Sequence, residues 1–276
     1  MAIGRTNASV GGGGSQIKAL IYGKNNSSRY LFYNFTGDSV NNIISYNDTE
    51  NLINMNETFY FCPHLKSIPL LNTSNVINMK EAFYNCKSLT TIPLLDTSKV
   101  TDMSYMFYYC TKLTSIPLLN TSNVTNMNSM FNYCQSLTTI PQLDTSKVTN
   151  MYDMFYFCTK LTSIPLLNTS NVTNMGETFY GCNKLTTIPA LDVSKVNNMQ
   201  YIFQGCYNLE SIEMTGMKVS FDISHSTKFT REALVVILNN LATVSTSQTL
   251  TMGATNLAKL TEEDKAIATN KGWTLA

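Results

Sequence analysis

Charge is what this sequence has least of. Lys, Arg, Asp and Glu make up 13% of its 276 residues, about half the usual quarter, and the formal net charge is +1. No basic stripe or patch stands out, so neither nucleic acid nor an anionic membrane is an expected partner. Histidine occurs twice, as His64 and His225, and tryptophan once, as Trp273. No two cysteines lie closer than 24 residues, whereas metal ligands are typically about two to four residues apart. No Ser/His/Asp order, glycine-rich phosphate loop or acidic metal-binding run is present. We therefore expect no catalysis, no cofactor and no metal. The longest strongly apolar run, Ala233 to Leu238, is far short of the roughly 20 residues of a spanning helix. The first residues lack the apolar core of a secretory signal. Membrane insertion is not expected, and synthesis in a cytoplasm is.

What the sequence does contain is repetition. Seven cysteines (Cys62, Cys86, Cys110, Cys134, Cys158, Cys182, Cys206) follow one another at 24 residues, and phenylalanine from Phe59 to Phe203 and methionine from Met55 to Met199 keep the same interval. A leucine row runs from Leu65 to Leu209 and an isoleucine row from Ile68 to Ile212, with proline after the isoleucine from Pro69 to Pro189. Units of this length cannot bury an apolar face alone but can when stacked. The expected fold is a leucine-rich-repeat-like α/β solenoid of seven 24-residue coils with caps at both ends. Six steps of about 4.8 Å would make a stack roughly 29 Å long.

The fourth coil illustrates the reading. Met127, Met130, Phe131 and Cys134 follow the i, i+3, i+4, i+7 pattern of a helical face. Asn126 precedes them, as an N-cap would, and Asn or Asp holds that place in every coil. Glu57, Glu81, Asp153 and Glu177, three residues beyond it, suggest capping boxes. A short strand is predicted at Leu137–Ile140, ended by a proline that cannot donate to a ladder, then a turn at Asp144-Thr145-Ser146. Coils with Asp96/Lys99, Asp144/Lys147 and Asp192/Lys195 alternate with Asn120/Asn123 and Asn168/Asn171. Either spacing of like charges or duplication of a two-coil unit explains this 48-residue period.

Composition divides the chain into a flexible glycine-rich leader (1–15), an N-terminal cap (16–51), the solenoid (52–214) and a C-terminal α/β cap (215–276). The N-terminal cap holds strand-like runs at 17–22 and 30–33. The C-terminal one reads as a helix from Arg231 to Leu241, a strand at 249–252 and a helix from Glu262 to Gly272, with Trp273 as an apolar plug. Interior to an apolar face, the cysteines read as free, buried and structural. Asn-x-Ser/Thr sequons at Asn120, Asn123, Asn168 and Asn171 follow from turn chemistry.

Two aromatic rows lie beside the cysteines: Tyr60, Tyr84, Tyr108, Tyr156 and Tyr180, and next to them Phe61, Tyr109, Tyr133 and Phe157. Since the Phe and Cys rows fill the core, these rings reach the surface or its margin. Tyr among Asn, Ser and Thr is the composition of protein paratopes, and aromatic faces also suit sugars. The alternative is that they only shield the seams between coils. Tyr84, Tyr108, Tyr109, Tyr133, Tyr156 and Tyr180 are the candidate ligand-binding residues.

Thr121-Ser122-Asn123-Val124-Thr125-Asn126-Met127, Met106-Phe107-Tyr108-Tyr109-Cys110 and Leu113-Thr114-Ser115-Ile116-Pro117 resemble the BspA-like leucine-rich repeats of mycoplasma and Firmicute surface proteins. The resemblance spans 52–214. It implies adhesion rather than catalysis, and supplies no binding residues. The glycine-rich start and the tail from Leu250 to Trp273 also resemble tail-associated proteins of phages and prophages. The expectation from these resemblances is a receptor-binding module on a phage virion, made in the host cytoplasm. It would recognise a cell-surface glycan or protein and contact other virion proteins through its N-terminal segment. A bacterial surface adhesin and a purely structural spacer are the alternatives.

Overall fold

In the computed structural model, which describes residues 26–276, each 24-residue unit winds once and is stapled to the next. The leader 1–15 and the run 17–22 lie outside the described residues. In the fourth coil the N–H groups of Met127, Ser129, Phe131 and Tyr133 donate to the carbonyls of Asn150, Tyr152, Met154 and Tyr156, one coil on, at 2.7–3.2 Å. The residues between them bond locally: Met130, Asn132 and Cys134 donate three residues back, to Met127, Ser129 and Phe131. Ser129 and Tyr133 have φ of 53° and 58°. Positive φ at the third residue, with a bond closing four residues, is the type II β-turn.

The expected helix is therefore absent from the coils. Two successive turns, 127–130 and 131–134, replace it and bury Met127, Met130, Phe131 and Cys134, the same i, i+3, i+4, i+7 positions a helix would bury. A helix would keep its backbone bonds to itself. This ribbon sends every second N–H to its neighbour, so coils pair as parallel strands do.

The Asn row does cap, but it caps a turn. Asn126 Oδ1 accepts from the N–H of Asn128 at 3.1 Å, and its counterparts in the other coils act alike. Glu57, Glu81, Asp153 and Glu177 form no capping boxes; they sit at φ of 55–58° as third residues of turns. Nor is Tyr30–Tyr33 a strand. The N–H groups of Tyr30, Phe32 and Asn34 donate to Glu57, Thr58 and Tyr60, and Tyr30 and Asn34 have φ of 59° and 55°. This is one more winding of the same ribbon, and its Phe32 stacks on Phe59 at 5.1 Å.

Among the coils a strand pair forms at one place only, β1 (Thr187–Ile188) with β2 (Ser211–Ile212) in parallel register. There Glu213 follows the isoleucine and donates its N–H to Ile188 at 3.0 Å. Earlier coils have proline at that position, with no N–H to give, and keep single bonds such as Thr114 N–H to Thr90 O. The predicted strand at Leu137–Ile140 is accordingly not formed.

The Met, Phe, Cys, Leu, Ile and Val rows fill the core. The phenylalanine rings stack from Phe32 to Phe203 with centroids 5.1–5.9 Å apart and planes within 9°. All seven cysteines are free and buried. Each thiol donates to a phenylalanine carbonyl of the preceding coil, as Cys134 Sγ does to Phe107 O at 3.2 Å. Burial pushes the Cys206 thiol up to about 12 and raises Cys110, Cys134, Cys158 and Cys182 likewise, so these five carry almost no nucleophilic thiolate.

The 48-residue period has a direct structural use. Lys99, Lys147 and Lys195 each donate to the carboxamide oxygen of Asn75, Asn123 or Asn171 in the coil before, at 2.7 Å. Asn123 and Asn171 pass their own amide protons to Ser98 O and Ser146 O, one coil further back. A lysine on every coil would lose these acceptors.

Beyond the last 24-residue coil the chain builds longer turns that do contain helices. β3 (Phe221–Asp222), β4 (Gln248–Thr251) and β5 (Trp273–Leu275) form a parallel sheet, with α1 (Arg231–Asn240), α2 (Ala254–Leu257) and α3 (Glu262–Thr269) in the crossovers. Thr230 and Thr261 cap α1 and α3. Arg231 clamps Asp264 with two 2.7 Å bonds. Trp273 is buried edge-on to Phe221, its indole N–H donating to Ala242 O at 2.9 Å.

Candidate binding surface

The two aromatic rows come together as one surface, two rings wide. Tyr60, Tyr84 and Tyr108 stack at 4.6 Å per step with planes within 12°. Tyr109, Tyr133 and Phe157 stack beside them at 4.4 and 5.1 Å, and Tyr156 and Tyr180 at 4.7 Å. Tyr108 touches Tyr109, and Tyr133 touches Tyr156, by tilted contacts of 5.5 and 5.6 Å that join the rows. All six candidate tyrosines are half-buried. Their rings lie against the seams between coils while their edges meet solvent, so shielding and display are both physically satisfied.

The backbone decides which ring goes where. Phe61, Tyr109, Tyr133 and Phe157 occupy the third position of the second turn, at φ of 53–61°. This left-handed conformation costs a non-glycine residue roughly 1–2 kcal/mol. Stacking returns about 0.5–1.5 kcal/mol per ring pair, so the aromatic residues gain little net stability there. Gly181 and Gly205 fill the same position in the last two coils. Tyr84, Tyr108, Tyr156 and Tyr180 are the second residues of those turns, where no positive φ is required.

Burial shapes the electrostatics. Desolvation, with the neighbouring phenols, pushes Tyr108 and Tyr156 up to about 12 and raises Tyr84 and Tyr133. The surface is thus uncharged at neutral pH apart from its flanks. Where the Tyr row is interrupted stands Asn132, 3% exposed, and where the neighbouring row is interrupted stands Asn85, 9% exposed. Neither carboxamide oxygen has a hydrogen-bond partner.

Two features escaped the sequence reading. The first is acidic: Asp153, beside Glu177, has an unpartnered buried oxygen, and burial and then the Glu177 charge raise its carboxyl to about 7. Tyr152 donates to Glu177 at 2.7 Å. The second is a ridge of Leu70, Leu94, Leu118 and Leu166, more than half exposed, with shallow cavities of about 370 and 400 Å³ along it. Its signal was the Leu-Leu pair after Pro69, Pro93, Pro117 and Pro165, since only the second leucine is buried. Among the described residues no group of three or more His, Cys, Asp and Glu could hold a metal. No helix among them is long and apolar enough to cross a membrane.

Comparison with known proteins places the repeats. The family described as "Mycoplasma protein of unknown function, DUF285" matches residues 26–139 and 115–215. A leucine rich cell surface protein from Faecalibacterium prausnitzii is 24% identical over 68% of this chain, with a TM-score of 0.41. This chain covers 55% of that protein's length. The Treponema pallidum leucine-rich repeat protein is 16% identical, with 76% of this chain and 84% of that one covered and a TM-score of 0.39. No curated protein matches in sequence.

Proposed function

This chain belongs to the DUF285 family over residues 26–215, and from that premise we propose that it is a non-enzymatic binding module displayed on a bacterial cell surface. A family of mycoplasma proteins favours the bacterial setting over the virion expected from the sequence, for which the comparisons give no support. The observation that carries the reading is the aromatic surface from Tyr60 to Tyr180. Rings locked in stacks lose little entropy on binding, and Tyr edges among neutral polar groups are the contact chemistry of paratopes. The leucine ridge is a second sticky face, of the kind that marks interaction sites. A pure spacer would need neither.

The test is binding of fluorescently labelled protein to whole bacteria and to immobilised host matrix, read by flow cytometry and surface capture. The variant Tyr108→Ser, Tyr109→Asn, Tyr133→Asn, Tyr156→Ser uses Asn at the two left-handed positions, where Asn85 already shows it is tolerated. We expect binding to fall at least about tenfold with the circular dichroism unchanged. A folded variant that binds as well as the parent overturns the reading.

A further inference from the structure

The outer row of the aromatic surface is interrupted once between its rings, at Asn85. In the outer row rings stand at Phe61, Tyr109, Tyr133 and Phe157, but the second coil carries Asn85 instead. Omitting one ring from a stack leaves its neighbours two coil steps apart, roughly 9–10 Å at strand-like spacing. A ring held between two others needs van der Waals contact of about 3.5–4 Å on each side. Tyr84 leans on Phe61 at 5.9 Å, so the space left beside Asn85 is bounded by Phe61 and Tyr84 on one side and by Tyr109 on the other.

The gap is a cavity of about 220 Å³ lined by Phe61, Tyr84, Asn85, Lys87, Tyr108 and Tyr109. It is smaller than the pockets that hold drug-sized ligands. Tyr133 stacks on one face of Tyr109 at 4.4 Å, which leaves the other face toward the gap. Lys87 Nζ lies 5.8 Å from that ring's centroid. Asn85 forms the floor, buried, with its carboxamide oxygen unpartnered. A buried acceptor without a donor is a standing cost to the fold, and a small rotation of the carboxamide would offer it to a donor in the gap.

We propose that this gap is a subsite for one pyranose ring of a surface glycan, a proposal that rests on the binding-module reading above. A pyranose presents apolar C–H faces to two aromatic rings and a rim of hydroxyls. One hydroxyl donates to Asn85 Oδ1, and the Lys87 ammonium donates to a second hydroxyl or to a sugar carboxylate. A flat aromatic ligand lacks the rim donors, and an inorganic anion lacks the faces.

The experiment titrates the full chain with methyl glucoside, methyl galactoside, N-acetylglucosamine and glucuronic acid, reading saturation-transfer NMR and intrinsic tyrosine fluorescence. Millimolar binding of at least one of them is expected. Asn85→Tyr, which places in the gap the residue that Tyr109 and Tyr133 already show at positive φ, should weaken it at least tenfold with the fold intact. Lys87→Met should weaken glucuronic acid more than the neutral sugars. No binding of any of the four, or equal binding by Asn85→Tyr, overturns the subsite. In the whole-cell assay, retained binding by Asn85→Tyr with loss in the four-residue variant would overturn the subsite alone. Retained binding by the four-residue variant would overturn the underlying reading.

Discussion

A carboxyl held at about 7 beside Glu177 makes Asp153 the residue whose protonation the fold feels most directly. Its usual value is 3.8, so between that pH and about 7 the folded chain keeps a proton that the unfolded chain has released. Stability must then fall as pH rises through this window, and is fully present only below it. Asp153→Asn removes the buried charge. Urea unfolding should show the variant more stable than the parent at about pH 8 and indistinguishable at about pH 3, below the window. An equal difference at both would mean that the carboxyl does not titrate as placed. None of this was legible from the sequence, where Asp153 read as a helix-capping acid. Its cost comes from the coil stacked above it, and a linear reading does not see that coil.

The short strand is the element with the sharpest local control. β1 and β2 pair because Glu213 has an N–H where earlier coils have proline. Glu213→Pro should dissolve that pair and leave Ile188 O without its donor, a loss of about 1 kcal/mol. Restriction of the unfolded chain by proline returns about 0.4–1 kcal/mol. We expect a net change within about 1 kcal/mol in chemical denaturation, because the other coils already live with this proline. A loss several times larger would mean that the strand pair anchors the end of the stack. The helices at Arg231 and Glu262 were legible, since cap, apolar face and length agree there. The coil helices were misread because consecutive type II turns impose the same burial spacing. Only the positive φ at Ser129 and Tyr133 separates the two, and nothing in those residue types announces it.

Across the whole molecule, each coil touches only its neighbours, so stability should scale with coil number. Deleting residues 97–144 removes two coils and joins Asp96 to Thr145, which preserves the turn sequence, the register and the Lys–Asn relay. The shortened chain should keep its circular dichroism shape and unfold cooperatively, with a lower Tm and a smaller denaturant slope. Failure to fold would show that stability is not shared out coil by coil.

The sequence by itself determined the 24-residue register, the Met, Phe, Cys, Leu and Ile rows of the core and the placement of the tyrosines beside it. Those depend on which side chains must leave water, and apolar periodicity records that. Tertiary structure decided how the backbone meets its hydrogen-bonding needs: turns bonded across coils rather than helices bonded within them. It also decided that the thiols and the Lys–Asn pairs face partners 24 or more residues away and that the gap at Asn85 is walled by rings of the neighbouring coils. Contacts at such distances follow from stacking geometry, which periodicity implies but does not specify.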